Sequence, residues 1–241
     1  MQNRQQLTGY VLHKRPYRET SLLVDFFSLE FGRVSAVAKG ARGNAKSDRK
    51  SLLQGFQKLE FELVGRSQLK NLGRLEALER SNNLTKASLY CGLYINEILS
   101  RALPEAEGIA DVFSNYEQTL SYLANIKSAE MSAFEPILRK FEFTLLQALG
   151  YLPDFSCDAV TGSPITTNDY YTFNAQNGFT MSHSQVRYAI KGEHLLAIAQ
   201  SDYEHLDQLK IKQSAKYICR LALIEVIGNK PIKSRELFIS T

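Results

Sequence analysis

Tryptophan is absent from this chain, and cysteine occurs only three times in 241 residues, at Cys91, Cys157 and Cys219. An odd, widely spaced trio builds neither a disulfide framework nor a metal site made of thiolates alone. The four histidines, His13, His183, His194 and His205, share no metal-ligand spacing, and the sequence contains neither a Gly-x-Ser-x-Gly elbow nor a His-Glu-x-x-His pair. Asp25 and Glu30 do not make the carboxylate cluster that a metal-dependent nuclease needs. No window approaches the roughly 20 consecutive apolar residues that cross a bilayer. The opening MQNRQQLTGY also lacks the apolar stretch of a secretory leader. The expectation is a cytoplasmic, non-enzymatic protein without membrane, metal or cofactor, whose 44% apolar content fills one large domain or two small ones.

What the chain does have is positive charge, concentrated in one region. Residues 1–80 carry 15 Lys and Arg against 8 Asp and Glu, net +7, while the remainder carries 14 against 17, net −3. The densest stretch is residues 33–50, RVSAVAKGARGNAKSDRK, where Arg33, Lys39, Arg42, Lys46, Arg49 and Lys50 face one acid, Asp48. A glycine-punctuated basic loop neutralises phosphates, releases their counterions and raises the local density of polyanions without reading their sequence. Gly40 and Gly43 let backbone N–H groups approach a phosphate, although the Gly-Lys-Ser/Thr ending of a nucleotide loop is missing. A solvated, solubilising loop has the same composition.

The first 80 residues read as β structure, with strand-compatible runs at 8–14, 21–29, 33–39, 59–64 and 70–78. Leu59, Phe61 and Leu63 alternate with Glu60 and Glu62, which sends one face inward and one to water. Glu30, Phe31 and Gly32 fit a short hairpin loop. Five short strands in this length suggest a small barrel, of which the OB-fold is the familiar nucleic-acid binder. Among its aromatic residues, Phe26 and Phe61 sit in the strongest strand patterns and belong to the core. Tyr17 and Phe31 lie at turns, where an exposed ring stacks on a base.

After Leu84 the period lengthens. Leu84, Ala87, Cys91, Tyr94, Ile98 and Ala102 mark one helix, and Val112, Tyr116, Leu120 and Leu123 a second. Ser132 to Glu135 reads as a capping box with Pro136 in the first turn of a third helix, apolar around most of its circumference except at Arg139 and Lys140. Ile211, Ala215, Ile218, Ala222 and Val226 mark a last helix ended by Gly228. Residues 151–185, rich in turn formers, interrupt this half as a loop or ribbon. The organisation expected is α+β: a barrel over 1–80, and a helical domain over 81–241 with the insert inside it.

Five short motifs in order, Thr20 to Leu22, AKGAR at 38–42, LYINE at 93–97, LRKFE at 138–142 with LGY at 149–151, and SRELF at 234–238, resemble the RecO recombination mediators over nearly the whole chain. The resemblance implies an N-terminal OB-fold, a C-terminal helical domain and a zinc-ribbon-like insert. It also implies a DNA repair protein that binds single- and double-stranded DNA, engages the acidic C-terminal tail of single-strand-binding protein, anneals complementary strands, and with RecR helps load RecA. Such a tail calls for a hydrophobic pocket beside a cation, which Arg139 and Lys140 fit, although basic side chains also snorkel from apolar helices into solvent. Many relatives carry Cys-x-x-Cys twice in the insert. Here the first pair reads Cys157 and Val160, and the second aligns with Met181 and Ser184, so the insert is expected to hold together by packing of Tyr170, Tyr171, Phe173 and Phe179 without metal. Because cationic barrels discriminate poorly between polymers, the residues also admit an RNA-binding module of RNA processing or ribosome association.

Overall fold

A computed structural model describes residues 4–42, 48–105, 107–128, 130–200 and 209–238. The chain forms two compact units, Met1–Ala129 with Ile232–Thr241, and Glu130–Pro231. In the first, β1 (Arg4–Tyr17), β2 (Ser21–Ser28), β3 (Gly32–Ala38), β4 (Lys58–Val64) and β5 (Lys70–Ala77) close a barrel in the order β1-β2-β3-β5-β4, with the short α1 (Asp48–Leu52) between β3 and β4. Neighbouring strands are antiparallel except β3 and β5, which run parallel. This is the five-stranded OB-type barrel anticipated from the strand pattern, and the helices after it make the chain α+β.

Alternation decides which side chains fill the barrel. Leu59, Phe61 and Leu63 of β4 are buried with Leu7, Val24, Phe26 and Ala36, and the Phe26 and Phe61 rings stack with centroids 4.2 Å apart. The opposite face of β1 and β2 is apolar too. Tyr10 and Phe27 meet Phe113 and Tyr116 of α3 (Ala110–Asn125) at 5.1 to 5.8 Å, so this part of the barrel exterior is core.

Strand β1 runs longer than its apolar alternation suggests, because a bulge at Leu12 carries it around a corner: Val11 pairs with Phe26 and His13 with Asp25. A bulge leaves carbonyls outside the ladder. Asn96 of α2 (Lys86–Ala102) supplies the missing donor, its Nδ2 lying 3.3 Å from the Val11 carbonyl and 3.5 Å from that of Leu12. Its Oδ1 accepts from the Tyr116 hydroxyl at 2.7 Å, and both residues are buried. One amide thereby joins β1, α2 and α3.

The β2–β3 turn is fixed by Gly32, at φ +58°, where a Cβ would collide with the Glu107 carbonyl. The chain end returns to this unit: a 3-10 turn, Lys233–Phe238, presents the Lys233 and Ser234 N–H groups to the Glu97 carboxylate at 2.9 and 2.8 Å. Arg235 lies over the Tyr94 ring and donates to its hydroxyl at 3.2 Å, while Phe238 meets Tyr90 and Tyr94 edge-on.

In the second unit, α4 (Glu135–Ala148) packs on α6 (Leu209–Ile227), with a three-stranded sheet in the order β7-β6-β8 and the short α5 (Gly192–Ala199). The sheet contains β6 (Tyr170–Asn174), β7 (Gly178–Ser182) and β8 (Ile190–Lys191). Helix α4 is buried along most of its length, as its composition indicates. Ser132 is not its cap: it sits two residues early, in the 3-10 turn Met131–Ala133, and Phe134 stands at the helix boundary with Pro136 in the first turn.

Replacing Asn96 with Ala removes the bulge's partner and strands the Tyr116 hydroxyl in an apolar site. Urea denaturation is expected to show a loss of about 1–3 kcal/mol, far more than a surface substitution such as Glu19→Ala.

Candidate nucleic-acid interface

The motif AKGAR is built by alternation of anchors and cations. Ala38 and Ala41 are buried against the barrel core, Gly40 turns the chain at φ +70°, and Lys39 and Arg42 are left in solvent. The Arg42 N–H donates to the Thr20 carbonyl at 2.9 Å, and its guanidinium donates to the Arg18 carbonyl at 3.2 Å. These bonds tie the turn after β3 to the β1–β2 hairpin, whose end carries Tyr17 half-buried with the Arg18 guanidinium 5.3 Å from its ring centre. Tyr17, Arg18, Lys39 and Arg42 thus share one rim of the barrel. Lys50 is exposed on α1. Arg49 is half-buried and donates to the Gly73 carbonyl of β5 at 2.9 Å, which pins α1 to the barrel. Lys46 lies outside the described residues.

The other two barrel residues singled out from the sequence lie at the far end of β2, about 25 Å away for a strand of this length. Phe31 is half-buried in a cavity of about 670 Å³ that it lines with Gln5, Leu63, Gln68 and Lys70. Arg33 is engaged within the fold: its guanidinium donates to the Glu105 carboxylate at 3.0 Å and to the Leu103 carbonyl at 3.3 Å. Between the two ends, the outer face of β1 to β3 shows His13, Arg15, Asp25 and Ser35 in a cleft of about 700 Å³ walled by α2 and the 233–238 turn. Asp25, accepting from Ser35, is buried in that floor, and the lining mixes Asp25, Glu97 and Glu105 with Arg15, Arg33, Arg101 and Lys233. Arg15 in the cleft and Arg18 on the rim carry no signal in the sequence, because only the β1–β2 hairpin brings residues 15–18 beside the dense run at 33–50.

In the second unit Arg139 is only 7% exposed. It bonds to Glu142, itself fully buried, at 2.7 Å. Burial, together with this carboxylate, pushes the neighbouring Cys219 thiol well above its ordinary value. Arg139 also lines a narrow crevice with Glu135, Pro136, Lys212 and Lys216, while Lys140 stands on the exposed side of α4.

The insert shows what stands where a ribbon would hold zinc. Cys157 is one thiol, and Val160, Met181 and Ser184 offer no matching ligands, so these residues do not fit a zinc site. Among the described residues no three His, Cys, Asp or Glu side chains gather as one. Asp158 instead bridges the two limbs: its carboxylate accepts from the N–H groups of Val160 and Thr161 at 2.9 and 2.7 Å and from the Met181 N–H across the ribbon. Tyr171, Phe173 and Phe179 are buried beneath it, with Tyr170 half-buried, and Phe155 links Phe179 to Phe143 of α4.

Comparison with known proteins settles the family. The family model "Recombination protein O N terminal" matches residues 1–81, and "Recombination protein O C terminal" matches residues 86–236. The chain belongs to the RecO family. "DNA repair protein RecO" of Alteromonas mediterranea is 45% identical over 240 residues, covering 99% of this chain and 98% of that protein. The proteins of the same name from Pseudoalteromonas atlantica and Actinobacillus pleuropneumoniae serotype 5b are 44% and 41% identical, covering 98% and 96% of this chain and 95% and 93% of theirs. The RecO motifs find physical reasons here. LYINE supplies Asn96 to the β1 bulge and Glu97 to the SRELF turn, so two motifs 140 residues apart form one joint.

The N–H groups of Thr161 and Met181 hold the Asp158 carboxyl at about 2, against an ordinary 3.8, although burial pushes the other way. The folded value lies below the unfolded one, so this stabilisation is complete above about pH 4 and is lost as pH falls toward 2. The protection factors of the Thr161 and Met181 amides, which remove the intrinsic pH dependence of exchange, should be high at pH 5 and fall below pH 3, and in Asp158→Ala they should be low at both.

Proposed function

We propose that this protein is a non-enzymatic recombination mediator in DNA repair, acting in the cytoplasm at the nucleoid. The observation that carries this reading is the rim of Tyr17, Arg18, Lys39 and Arg42, held open to solvent by the buried alanines of AKGAR. A rim of this kind grips phosphate backbones of single- and double-stranded DNA alike and leaves base pairing to the strands themselves. Holding two strands close lowers their repulsion and raises their effective concentration, which is the help that annealing needs. The barrel, 1–80, is the DNA module; the helical part, 81–241, meets protein partners. Arg33 and Arg49 serve the interface by positioning the β2–β3 turn and α1, Lys46 and Lys50 extend its charge, and Phe31 offers a stacking ring at the far end.

Arg139, steadied by Glu142 and opening onto the crevice beside Lys216, supplies the cation for the terminal carboxylate of the single-strand-binding protein tail, with Lys140 drawing in its acidic residues. With RecR, and through it RecA, the complex passes single strands to the recombinase. The name of the relatives, DNA repair protein RecO, supports this role over an RNA-binding one.

Neutralising Lys39, Arg42 and Lys50 together is expected to lower the slope of log Kd against log salt for single-stranded DNA by about 2, at roughly 0.7 per lost phosphate contact, and to abolish annealing. An unchanged slope with annealing intact would refute the rim as the DNA site. Arg139→Lys should weaken tail-peptide binding about tenfold while sparing naked DNA, and equal loss of both would remove the separate tail site.

A further inference from the structure

The unit Glu130–Pro231 carries a second cationic surface that the barrel reading does not use. From Leu209 to Ile224, α6 holds Lys210, Lys212, Lys216 and Arg220 and no acidic residue. The buried set, Ile211, Ala215, Ile218, Cys219, Ala222 and Leu223, faces the core; Lys212 borders that face and lines the crevice with Arg139, whereas Lys210 and Arg220 stand on the helix's solvent side. Lys216 is partly neutralised by Glu135 at 2.6 Å, and Arg220 is exposed. One helical turn before Arg220, on the same side, stands Tyr217.

Tyr217 is half-buried. Its ring stacks with that of Tyr188, centroids 5.1 Å apart and planes 17° from parallel. Tyr188 is 56% exposed, and the Arg187 guanidinium lies 4.8 Å from its ring centre. Tyr188 also takes φ +65°, a conformation uncommon for a residue with a bulky side chain, in the turn between β7 and β8. Core packing does not explain the Tyr188 ring, whose surface is kept in water with Tyr217 half-buried against it and the exposed Arg220 one turn further along α6.

We propose that Arg187, Tyr188, Tyr217 and Arg220 form a binding site for an unpaired stretch of nucleic acid, with a base joining the Arg187–Tyr188–Tyr217 stack and flanking phosphates on Arg220 and Lys216. Aromatic stacking selects single strands, since paired bases hide their faces, and the cations make capture independent of sequence. A duplex or a purely acidic protein segment would use the charges and leave the stack idle. The proposal takes its ligand class from the reading of the barrel but uses none of the barrel's residues. It gives each molecule a second hold on single-stranded nucleic acid.

The test is photocrosslinking of the full-length protein to an oligothymidylate carrying 5-iodouracil, followed by trypsin digestion and mass mapping. Crosslinks in the peptide of residues 188–191 are expected, both in the wild-type chain and in the barrel variant Arg18→Ala/Lys39→Ala/Arg42→Ala. Tyr188→Phe should keep them and Tyr188→Ser should lower their yield about tenfold. Crosslinks confined to barrel peptides, or a yield indifferent to Tyr188→Ser, would overturn the site while leaving the barrel reading intact. Crosslinks at 188–191 with none in the barrel would do the reverse. A charge-only surface is revealed if an oligomer of abasic sugar-phosphate competes as well as the parent oligonucleotide, and that result also overturns the proposal.

Discussion

The side chain of Asn96 is the constraint on which the first unit depends. A five-stranded barrel this small closes only if β1 bends between its two partners, and the bulge at Leu12 provides the bend at the cost of unpaired carbonyls in an apolar surround. A carboxamide satisfies them and, through Oδ1, takes the Tyr116 hydroxyl as well. Burial keeps that phenol protonated, far above its ordinary range, so it remains a donor at every pH the protein meets. Aromatic packing of Tyr10, Phe27, Phe113 and Tyr116 supplies most of the adhesion between barrel and helices, but it is not directional; the amide fixes the register.

Closing the barrel with α2 and α3 changes what its outer surface is for. The strand face that commonly meets a ligand in this fold is here a cleft with Asp25 in its floor, Arg33 engaged by Glu105, and a wall made from α2 and the returning chain end. The rim carries exposed cations, which short loops hold on buried alanine anchors. Glu97 secures that wall. Burial raises its carboxyl, but the N–H groups of Ser234 and Lys233 and the charge of Arg101 outweigh it and hold it below the usual range, so the joint is intact wherever the protein works.

Much of the fold was legible because it rests on period. Leu59, Phe61 and Leu63 declared β4, and the three- and four-residue steps after Leu84 declared α2. The exceptions have physical causes. The extension of β1 to Tyr17 passes through a bulge, where alternation breaks. Helix α5 is only eight residues long, too short to establish a stripe. At the site, Lys39 and Arg42 were visible as exposed cations between small apolar residues, whereas Arg18 gains its place only through a hairpin contact. Arg33 looked like its neighbours, and its pairing with Glu105 depends on a contact 72 residues away in sequence. Local charge density identifies a surface, while commitment to an internal partner is a tertiary fact.

The Asp158 bridge joins the two limbs of the ribbon through the polypeptide's own groups. A four-thiolate ribbon must win its metal from cellular buffers and surrenders it when oxidants reach the sulfurs. A carboxylate accepting backbone N–H groups needs no supply and cannot be oxidised under such conditions, and the insert presents one thiol, Cys157, where a zinc-bound counterpart presents four. The bond that joins the ribbon's two limbs therefore contains no sulfur for an oxidant to attack.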